Sequence, residues 1–266
     1  MRIYYIEKKT LKRCGWAVLV LFILGIGVAG LYQVQSARSK SVLAPFYQGV
    51  THQKNVALTF NVDWGEENVP QLLKVLKEND VKATFFITGQ WAAKNQETAR
   101  MIASEGHEVA NHGDRHRHVQ SLSPEMIKTE ILDAEAKLKQ ITGKKTRLYA
   151  PAYGEYDQKI GNAAAELGYQ VILWSIDTID WQKPDPNTIA QRVLPRIHND
   201  AIILMHPTQP TVASLPGIVK TLRAEGYGFL PVSQIIKPAV KTKKTVRPGV
   251  TAKTSYSVLP NRGGLQ

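Results

Sequence analysis

The chain has 266 residues, enough for one sizeable domain with tails or two small domains. Of these residues 43% are hydrophobic and 21% are charged, a composition ordinary for a globular protein. Its formal net charge of +12 lies mostly at the two ends, because residues 1–14 carry +4 and residues 237–266 carry +7. The part between them is nearly neutral, which argues against a nucleic-acid-binding surface. The single cysteine, Cys14, excludes an intramolecular disulfide and a cysteine-based zinc site, so any metal must be held by histidine and carboxylate.

The N-terminal segment predicts that the protein is exported. Residues 15–32 carry no charge and are almost wholly apolar, and a helix of this length, at about 1.5 Å per residue, can span a membrane. The basic segment 1–14 then stays in the cytoplasm and the rest of the chain lies outside. We therefore predict a single-pass anchor over residues 15–33. A cleaved signal peptide, with a processing site at Val34-Gln35-Ser36, is the alternative.

The remaining sequence divides into three parts. Residues 34–54 are polar and mixed, and we interpret them as a linker. Residues 55–236 alternate between strand and helix patterns and form the predicted domain. Residues 237–266 are rich in Lys, Thr, Ser, Pro and Gly without an amphipathic period, so we predict a disordered basic tail. Attraction of this tail to an anionic cell-wall polymer is the alternative to a simple solvated end.

The domain opens with a buried strand that begins at Val56 and ends near Asp63, where Gly65 follows a β-branched and aromatic run. Amphipathic patterns and capping residues predict helices over 69–78, 92–104, 123–141, 157–167, 187–197 and 216–225. Apolar runs predict further strands over 81–87, 107–110, 169–174, 201–205 and near Phe229. Because strand and helix alternate, we expect parallel strands in an open α/β sheet or a barrel.

Three of the seven histidines fall within one stretch after the third predicted strand. His112 and His116 are four residues apart, and on a helical turn this spacing places both imidazoles on one face. Together with Asp63, at the end of the first strand, they would supply two imidazoles and a carboxylate to one metal ion. A single histidine is more often a surface or core residue, so the prediction of a metal site depends on the cluster.

Two further strand ends carry residues that suit chemistry on a sugar. Asp177 and Asp180 lie in a turn that ends with Trp181. Either carboxylate could hold an imidazole in one tautomer, or could simply cap the turn. Trp181 could stack on a sugar ring or belong to the core. His206 ends the strand over 201–205 and could act as a general acid or be structural.

With these residues in place, the chain resembles the polysaccharide deacetylase family, the NodB-homology domain of carbohydrate esterase family 4. The resemblance covers residues 50–236, where five motifs occur in the family's order. It is nearest to the membrane-anchored, sporulation-associated members of the family. It implies an α/β fold, a distorted (β/α) barrel of about seven parallel strands, here preceded by one N-terminal transmembrane helix.

The resemblance also implies a reaction. It is the metal-dependent hydrolysis that removes N-acetyl groups from N-acetylglucosamine or N-acetylmuramic acid units of peptidoglycan or a chitin-like glycan. The implied cofactor is a divalent metal, zinc or cobalt, held by Asp63, His112 and His116. The expected partners are the polysaccharide and, through the N-terminal helix, the cell membrane, with the domain on the extracytoplasmic side. We expect a monomer that binds no nucleic acid.

The first and third motifs depart from the family's pattern. The first is usually Thr-Phe-Asp-Asp-Gly, and its first aspartate is the general base. That position is Asn61 here, an amide that takes no proton at neutral pH, and Asp63 lies one residue further along than the usual metal-binding aspartate. In the third motif, residues 150–154, Ala150 replaces the arginine that normally pairs with the base. The tyrosine of this motif, Tyr153, is retained as a predicted substrate-binding residue.

The fourth and fifth motifs are retained. The resemblance assigns His206, in the fifth motif, as the general acid that protonates the leaving amine. We take Asp177, in the fourth motif, as the carboxylate that tunes His206. Trp181, in the same motif, is the second predicted substrate-binding residue.

The two departures are consistent with each other, because a buried arginine without its carboxylate would be costly. Two hypotheses follow. The chain is a membrane-anchored deacetylase acting outside the cell, or it is a catalytically impaired, glycan-binding relative that acts in wall or spore assembly. A third arrangement, in which Asp63 serves as the base while the two histidines and water hold the metal, also stays open.

Overall fold

The computed structural model describes residues 26–27 and 44–237. Within these ranges no helix has both the length and the apolar character needed to cross a membrane. The predicted anchor over residues 15–33 lies outside the described residues apart from positions 26 and 27. The cytoplasmic segment 1–14 and nearly all of the tail 237–266 also lie outside them, so the expectations for these segments stay predictions.

Parallel strands build the sheet of the described domain. They are β1 (Asn55–Val62), β2 (Thr84–Ile87), β3 (Glu108–Asn111), β4 (Leu148–Tyr149), β5 (Gln170–Val171), β6 (Ile176–Asp177), β7 (Ala201–Met205) and β8 (Gly228–Phe229). Their order is β5-β4-β3-β2-β1-β7-β6, and β8 pairs with the first two residues of β1. The predicted α/β fold of about seven parallel strands is thereby confirmed, in the form of a curled half-barrel.

The segment before β1 takes part in the sheet region. The N–H of Phe46 donates to the carbonyl of Val171 in β5, and the N–H of Gly49 donates to the carbonyl of Asp200, directly before β7. In the described part of the chain, no strand pair joins β5 to β6. Residues 46–49, predicted as part of the linker, therefore connect β5, at one end of the sheet, to the start of β7, the second strand from the other end.

Helices follow most of the strands. They are α1 (Val69–Glu78), α2 (Gly89–Lys94), α3 (Gln96–Ser104), α4 (Pro124–Thr142), α5 (Gln158–Glu166), α6 (Pro186–Val193), α7 (Gln209–Ala224) and α8 (Val232–Ile235). The predicted cap of α4 is confirmed, because the side chain of Ser123 accepts the N–H of Met126 and Pro124 occupies the first helical position.

Two helices differ from their predictions. The helix predicted over 92–104 is split into α2 and α3, because Asn95 leaves the helical conformation with φ −119° and ψ 49°. The helix predicted over 216–225 begins earlier, at Gln209, where the side chain of Thr208 accepts the N–H of Thr211. Pro216 lies inside α7. Because proline is common at helix starts, Pro216 was a misleading signal in the sequence.

The interior of the half-barrel is apolar and forms the floor of a cleft. Its buried side chains are Ala57, Phe86, Ala110, Leu148, Ala150, Ile172, Ile202, Val232, Ile235 and Ile236. Residues two apart on a strand face the same side of a sheet. Continuing from this floor along β1, β3 and β7, the same face therefore carries Asn61, His112 and His206 at the carboxyl ends of the strands.

His107, directly before β3, is a buried group whose protonation opposes folding. Its Nδ1 accepts the N–H of Ala83 at 3.2 Å. Burial, with the charge of Lys82 as a second cause, lowers the pKa of His107 from 6.5 to about 4. Between these two values the unfolded chain binds a proton that the folded protein does not. The contribution of neutral His107 to stability is therefore complete above pH 6.5 and is lost as the pH falls toward 4.

Replacing His107 with asparagine tests this dependence, because the amide oxygen still accepts the Ala83 N–H but does not titrate. Between pH 7 and 4.5, the wild type should lose about 2–3 kcal/mol more free energy of unfolding than the variant. Urea unfolding of both proteins at the two pH values measures the difference, and groups that titrate equally in both cancel. Equal losses in the two proteins would contradict the assignment.

Candidate active site

One cleft of about 530 Å³ contains every residue that the sequence analysis assigns to the site. These residues are Asn61, Asp63, His112, His116, Tyr153, Asp177, Trp181 and His206. The cleft lies at the carboxyl ends of the strands, the edge where parallel α/β folds place their binding residues. The structure thus brings the predicted residues together, while the chemical roles assigned to them stay predictions.

The end of β1 carries Asn61 and Asp63 into the cleft. Asn61 is buried, and Oδ1 of Asp63 accepts the hydroxyl of Thr88 at 2.8 Å. The amide of Asn61 can donate or accept a hydrogen bond but cannot take up a proton at neutral pH. The position that the resemblance gives to the general base can therefore hold a ligand without activating a water molecule.

Ala150 lies next to His112 where the family's pattern has an arginine. The carbonyl oxygen of Ala150 is 2.7 Å from Nδ1 of His112. Because a carbonyl only accepts, Nδ1 carries the proton and Nε2 keeps its lone pair. Burial, followed by the charge of His116, lowers the pKa of His112 to about 3, so this imidazole is neutral at neutral pH. The buried methyl group of Ala150 provides no counter-ion next to His112.

His116 lies on an irregular loop, and the helical turn predicted from the spacing of the two histidines is wrong. Residues 112–118 contain no helix. Gly113 (φ 79°) and His116 (φ 51°) instead adopt left-handed conformations, which glycine takes at low cost. The imidazole centroids of His112 and His116 are still 5.0 Å apart, with their planes at 64°. Burial lowers the pKa of His116, and the negative charge of Asp63 opposes this shift.

Glu130 of α4 fixes the histidine loop through its carboxylate. Its Oε2 accepts the N–H groups of Asp114 and Arg115 at 3.0 and 2.9 Å, and its Oε1 pairs with Nε of Arg117 at 3.2 Å. Asp114 pairs in turn with Nζ of Lys137 at 2.6 Å. Buried carboxylates with satisfied oxygens make a segment rigid, so α4 sets the orientation of the two histidines.

The described residues do not assemble a complete three-residue metal site. His112 and His116 are imidazoles of the kind that zinc prefers. However, no group of three histidine, cysteine, aspartate or glutamate side chains in the described ranges lies close enough together to hold one ion. Oδ1 of Asp63, the predicted third ligand, accepts a hydrogen bond from the hydroxyl of Thr88. The metal site formed by Asp63, His112 and His116, and the choice between zinc and cobalt, therefore stay predictions.

His206 and Asp180 form a buried hydrogen-bonded pair. Asp180 Oδ1 is 2.8 Å from His206 Nδ1, and Asp180 Oδ2 accepts the backbone N–H of His206 at 2.7 Å. The same Oδ2 accepts the hydroxyl of Thr211 in α7. Because this carboxylate is fully buried and accepts from every partner, Nδ1 of His206 donates, and Nε2 is the nitrogen left for the cleft. An imidazole held in this way is suited to act as a general acid.

The carboxylate that holds His206 is thus Asp180, whereas the sequence analysis assigns Asp177 to this task. Asp177 lines the cleft, and its Oδ1 accepts the N–H of Ile179 at 2.8 Å, which is a turn-capping contact. Ile179 adopts φ 52°, which is unusual for a β-branched residue. This left-handed step directly before Asp180 has no signal in the sequence, so the spacing of the two aspartates could not separate their roles.

Aromatic side chains form much of the cleft wall. The predicted residues Tyr153 and Trp181 are 56% and 52% exposed. Two others, Trp64 and Trp174, line the cleft but are missing from the sequence-based site. The indole of Trp64 lies parallel to the imidazole of His206, with centroids 5.7 Å apart and planes at 7°. The sequence carried one signal for each of these two residues. Trp64 directly follows Asp63, and Trp174 lies at the end of a predicted strand.

The chain is similar to known proteins over most of its described residues. The sequence model of the family described as polysaccharide deacetylase matches residues 48–172. The uncharacterized protein YlxY of Bacillus subtilis (strain 168) is 37% identical over 192 residues, covering 72% of this chain and 60% of that protein. A peptidoglycan-N-acetylglucosamine deacetylase of Bacillus cereus is 30% identical over 202 residues, covering 74% of each.

A similar fold is present in a CE4 family pseudoenzyme from Bacillus anthracis. Its crystal structure is 36% identical, with a TM-score of 0.71, covering 73% of this chain and 69% of that chain. A mutant of the same pseudoenzyme, described as having restored enzymatic activity, is 35% identical with a TM-score of 0.71, covering 73% and 71%. Together with the ordered motifs in the cleft, these similarities show that the chain belongs to the polysaccharide deacetylase family, carbohydrate esterase family 4.

Proposed function

We propose that this chain binds an N-acetylated cell-wall glycan in its cleft and that its deacetylase reaction is strongly impaired. The observation that carries the proposal is a pair of replacements: Asn61, at the base position, lines the cleft, and Ala150, at the arginine position, is buried next to His112. We further propose that the domain acts outside the cell, on a membrane anchor over residues 15–33. The support for this location is the basic segment followed by an uncharged apolar run.

The cleft holds a residue suited to donate a proton, but the residue at the general-base position is unable to accept one. Hydrolysis of an acetamide requires one group to take a proton from the attacking water and another to give a proton to the leaving amine. His206, held by Asp180, suits the second task. Asn61 cannot perform the first, and loss of a general base typically lowers a rate by about 10²–10⁴-fold. The aromatic walls and the polar edges that would bind a sugar are unaffected by this loss.

Relatives support the glycan class. The Bacillus cereus relative is named a peptidoglycan-N-acetylglucosamine deacetylase, and the Bacillus anthracis neighbour is named a pseudoenzyme. By analogy, we assign N-acetylglucosamine or N-acetylmuramic acid units of peptidoglycan as the ligand, with a chitin-like glycan as the alternative. A protein that binds such a glycan without processing it quickly would serve in wall or spore assembly.

The second candidate function is a slow, metal-dependent deacetylase. The observation that favours it is the intact pair of His206 and Asp180, since a carboxylate-held imidazole suits proton donation and is not needed for sugar binding alone. Acetate release from N-acetylglucosamine oligomers by the full chain, with and without added zinc or cobalt, separates the two candidates. Metal-dependent release above the background without protein would favour the slow deacetylase. No release by folded protein that binds the oligomers would favour the glycan-binding function.

Replacing Trp181 with alanine is expected to weaken binding of an N-acetylglucosamine tetramer by about tenfold, because the variant loses an exposed aromatic wall of the cleft. Isothermal titration of the full chain measures the affinity. Tyr47 is the matched control, because it is equally exposed (52%) but does not line the cleft. An equal effect of Tyr47→Ala, or no binding by the wild type, would contradict the proposed glycan site.

A further inference from the structure

An exposed aromatic stack continues the cleft wall beyond the residues that line the cleft. The imidazole of His118 lies on the ring of Tyr153, with centroids 3.9 Å apart and planes at 8°. His116 contacts the same tyrosine, with centroids 4.6 Å apart and planes at 60°. Tyr153 and His116 line the cleft and His118 does not. The stack therefore extends from the cleft onto the neighbouring surface.

Hydrogen bonds hold this stack in place before any ligand arrives. Oε1 of Glu155 is 2.7 Å from Nδ1 of His118, and Oε2 of Glu155 accepts the N–H of Gln120 at 2.9 Å. Tyr153 has φ 59°, and the next residue, Gly154, packs so closely on Trp174 that a Cβ at Gly154 would lie 2.4 Å from the indole. Because His118 and Tyr153 are already held in place, their side chains lose little conformational entropy when a ligand binds.

The free face of the stack belongs to His118. Its side chain is 64% exposed although one face of the ring is covered by Tyr153, so the opposite face and the Nε2 edge meet solvent. The platform thus combines a flat ring with one polar atom at its edge. A pyranose ring has the matching chemistry, with an apolar face of C–H groups and a rim of hydroxyl and acetamido groups.

We propose that the stack of His118 on Tyr153 is a second sugar subsite, which takes the N-acetylhexosamine unit next to the one in the cleft. This inference rests on the proposed glycan-binding function and adds the requirement for at least two linked sugars. The unit in the cleft contacts Tyr153 and Trp181, and its neighbour lies on His118. The direction of the glycan is thereby set from the floor of the cleft toward the loop that carries His118.

The test compares a single N-acetylglucosamine with its tetramer as probes, by isothermal titration of the full chain. His118→Ala should weaken tetramer binding by roughly five- to tenfold and leave binding of the single sugar unchanged. His118→Phe, which keeps a flat ring, should retain most of the tetramer affinity. His198→Ala is the matched control, because His198 lies outside the cleft and its partly exposed imidazole contacts the carbonyl of the neighbouring Asn199.

The outcomes separate this subsite from the proposed function. A wild type that binds both probes, with His118→Ala binding them equally well, would overturn the subsite and leave glycan binding in place. A loss of the same size for the single sugar and the tetramer would also overturn it, since His118 would then act inside the cleft. A wild type that binds neither probe would overturn the glycan-binding function together with the subsite.

Discussion

Replacing Asn61 with aspartate and Ala150 with arginine in one chain is expected to raise acetate release from N-acetylglucosamine oligomers by about 10²–10⁴-fold over the wild type. Aspartate at position 61 restores a group that can take a proton from the attacking water. Arginine at position 150 restores the cation that pairs with this aspartate in the family's pattern. Initial rates of acetate release, in one buffer with added zinc or cobalt for every variant, measure the gain.

The two replacements are expected to succeed only together. Arginine alone at position 150 would place an uncompensated cation beside the apolar floor of the cleft, among Ala57, Phe86 and Ala110, at a cost of about 3–5 kcal/mol. Aspartate alone at position 61 would lack its partner, and burial would favour its protonated form. The double variant should therefore be more stable than Ala150→Arg and more active than either single variant.

The controls decide what limits the reaction. Adding His206→Ala to the double variant should remove most of the gain, because no other imidazole in the cleft is held by a buried carboxylate in the described part of the chain. Simply additive effects of the two single replacements would contradict their pairing. A double variant that is folded, binds the oligomer and releases no more acetate than the wild type would show that the missing base is not the main cause of impairment.

The sequence was sufficient to place most of the cleft because its residues follow strands. Asp63 and His206 each come directly after a long, apolar strand, and parallel strands bring their carboxyl ends to one edge. The same reasoning located His112 after β3. These predictions needed only the strand pattern and the alternation of faces, which the apolar runs of β1 and β7 specify clearly.

What the sequence could not predict depends on backbone conformations without a strong residue signature. The histidine loop is shaped by left-handed steps at Gly113 and His116 and by the buried carboxylate of Glu130, which lies on a helix that follows later in the chain. Likewise, the left-handed step at Ile179 decides which aspartate meets His206. A β-branched residue rarely takes this conformation, so propensity argued against the observed turn.

Replacing Asp180 with alanine is expected to lower the free energy of unfolding by about 3–5 kcal/mol. The replacement removes the fully buried acceptor of the N–H of His206 and of its Nδ1–H, while the hydroxyl of Thr211 can still donate to Oγ1 of Thr208. Buried donors that lose their partner carry the full cost of desolvation. Urea unfolding of the wild type and the variant at pH 7 measures this loss.

Asp177→Ala is the matched control for Asp180→Ala, because the two aspartates are three residues apart in the same turn. Asp177 is partly exposed and caps the single N–H of Ile179, so its loss should cost only about 0.5–1.5 kcal/mol. Asp180→Asn should fall between the two, since an amide keeps one acceptor oxygen but has no negative charge to hold the imidazole. We therefore expect Asp177→Ala to be the most stable of the three variants, followed by Asp180→Asn and then Asp180→Ala. This order would identify Asp180 as the buried partner of His206 and Asp177 as a turn cap.

The same variants test whether the pair of His206 and Asp180 belongs to the chemistry or only to the fold. In the chain restored at positions 61 and 150, Asp180→Asn should lower acetate release while binding of the N-acetylglucosamine tetramer stays close to normal, because the amide no longer holds His206 in one tautomer. A larger loss of stability or of restored activity for Asp177→Ala than for the replacements of Asp180 would contradict the observed pairing. Asp177, the carboxylate predicted from the family motif, would then be the residue that orients His206.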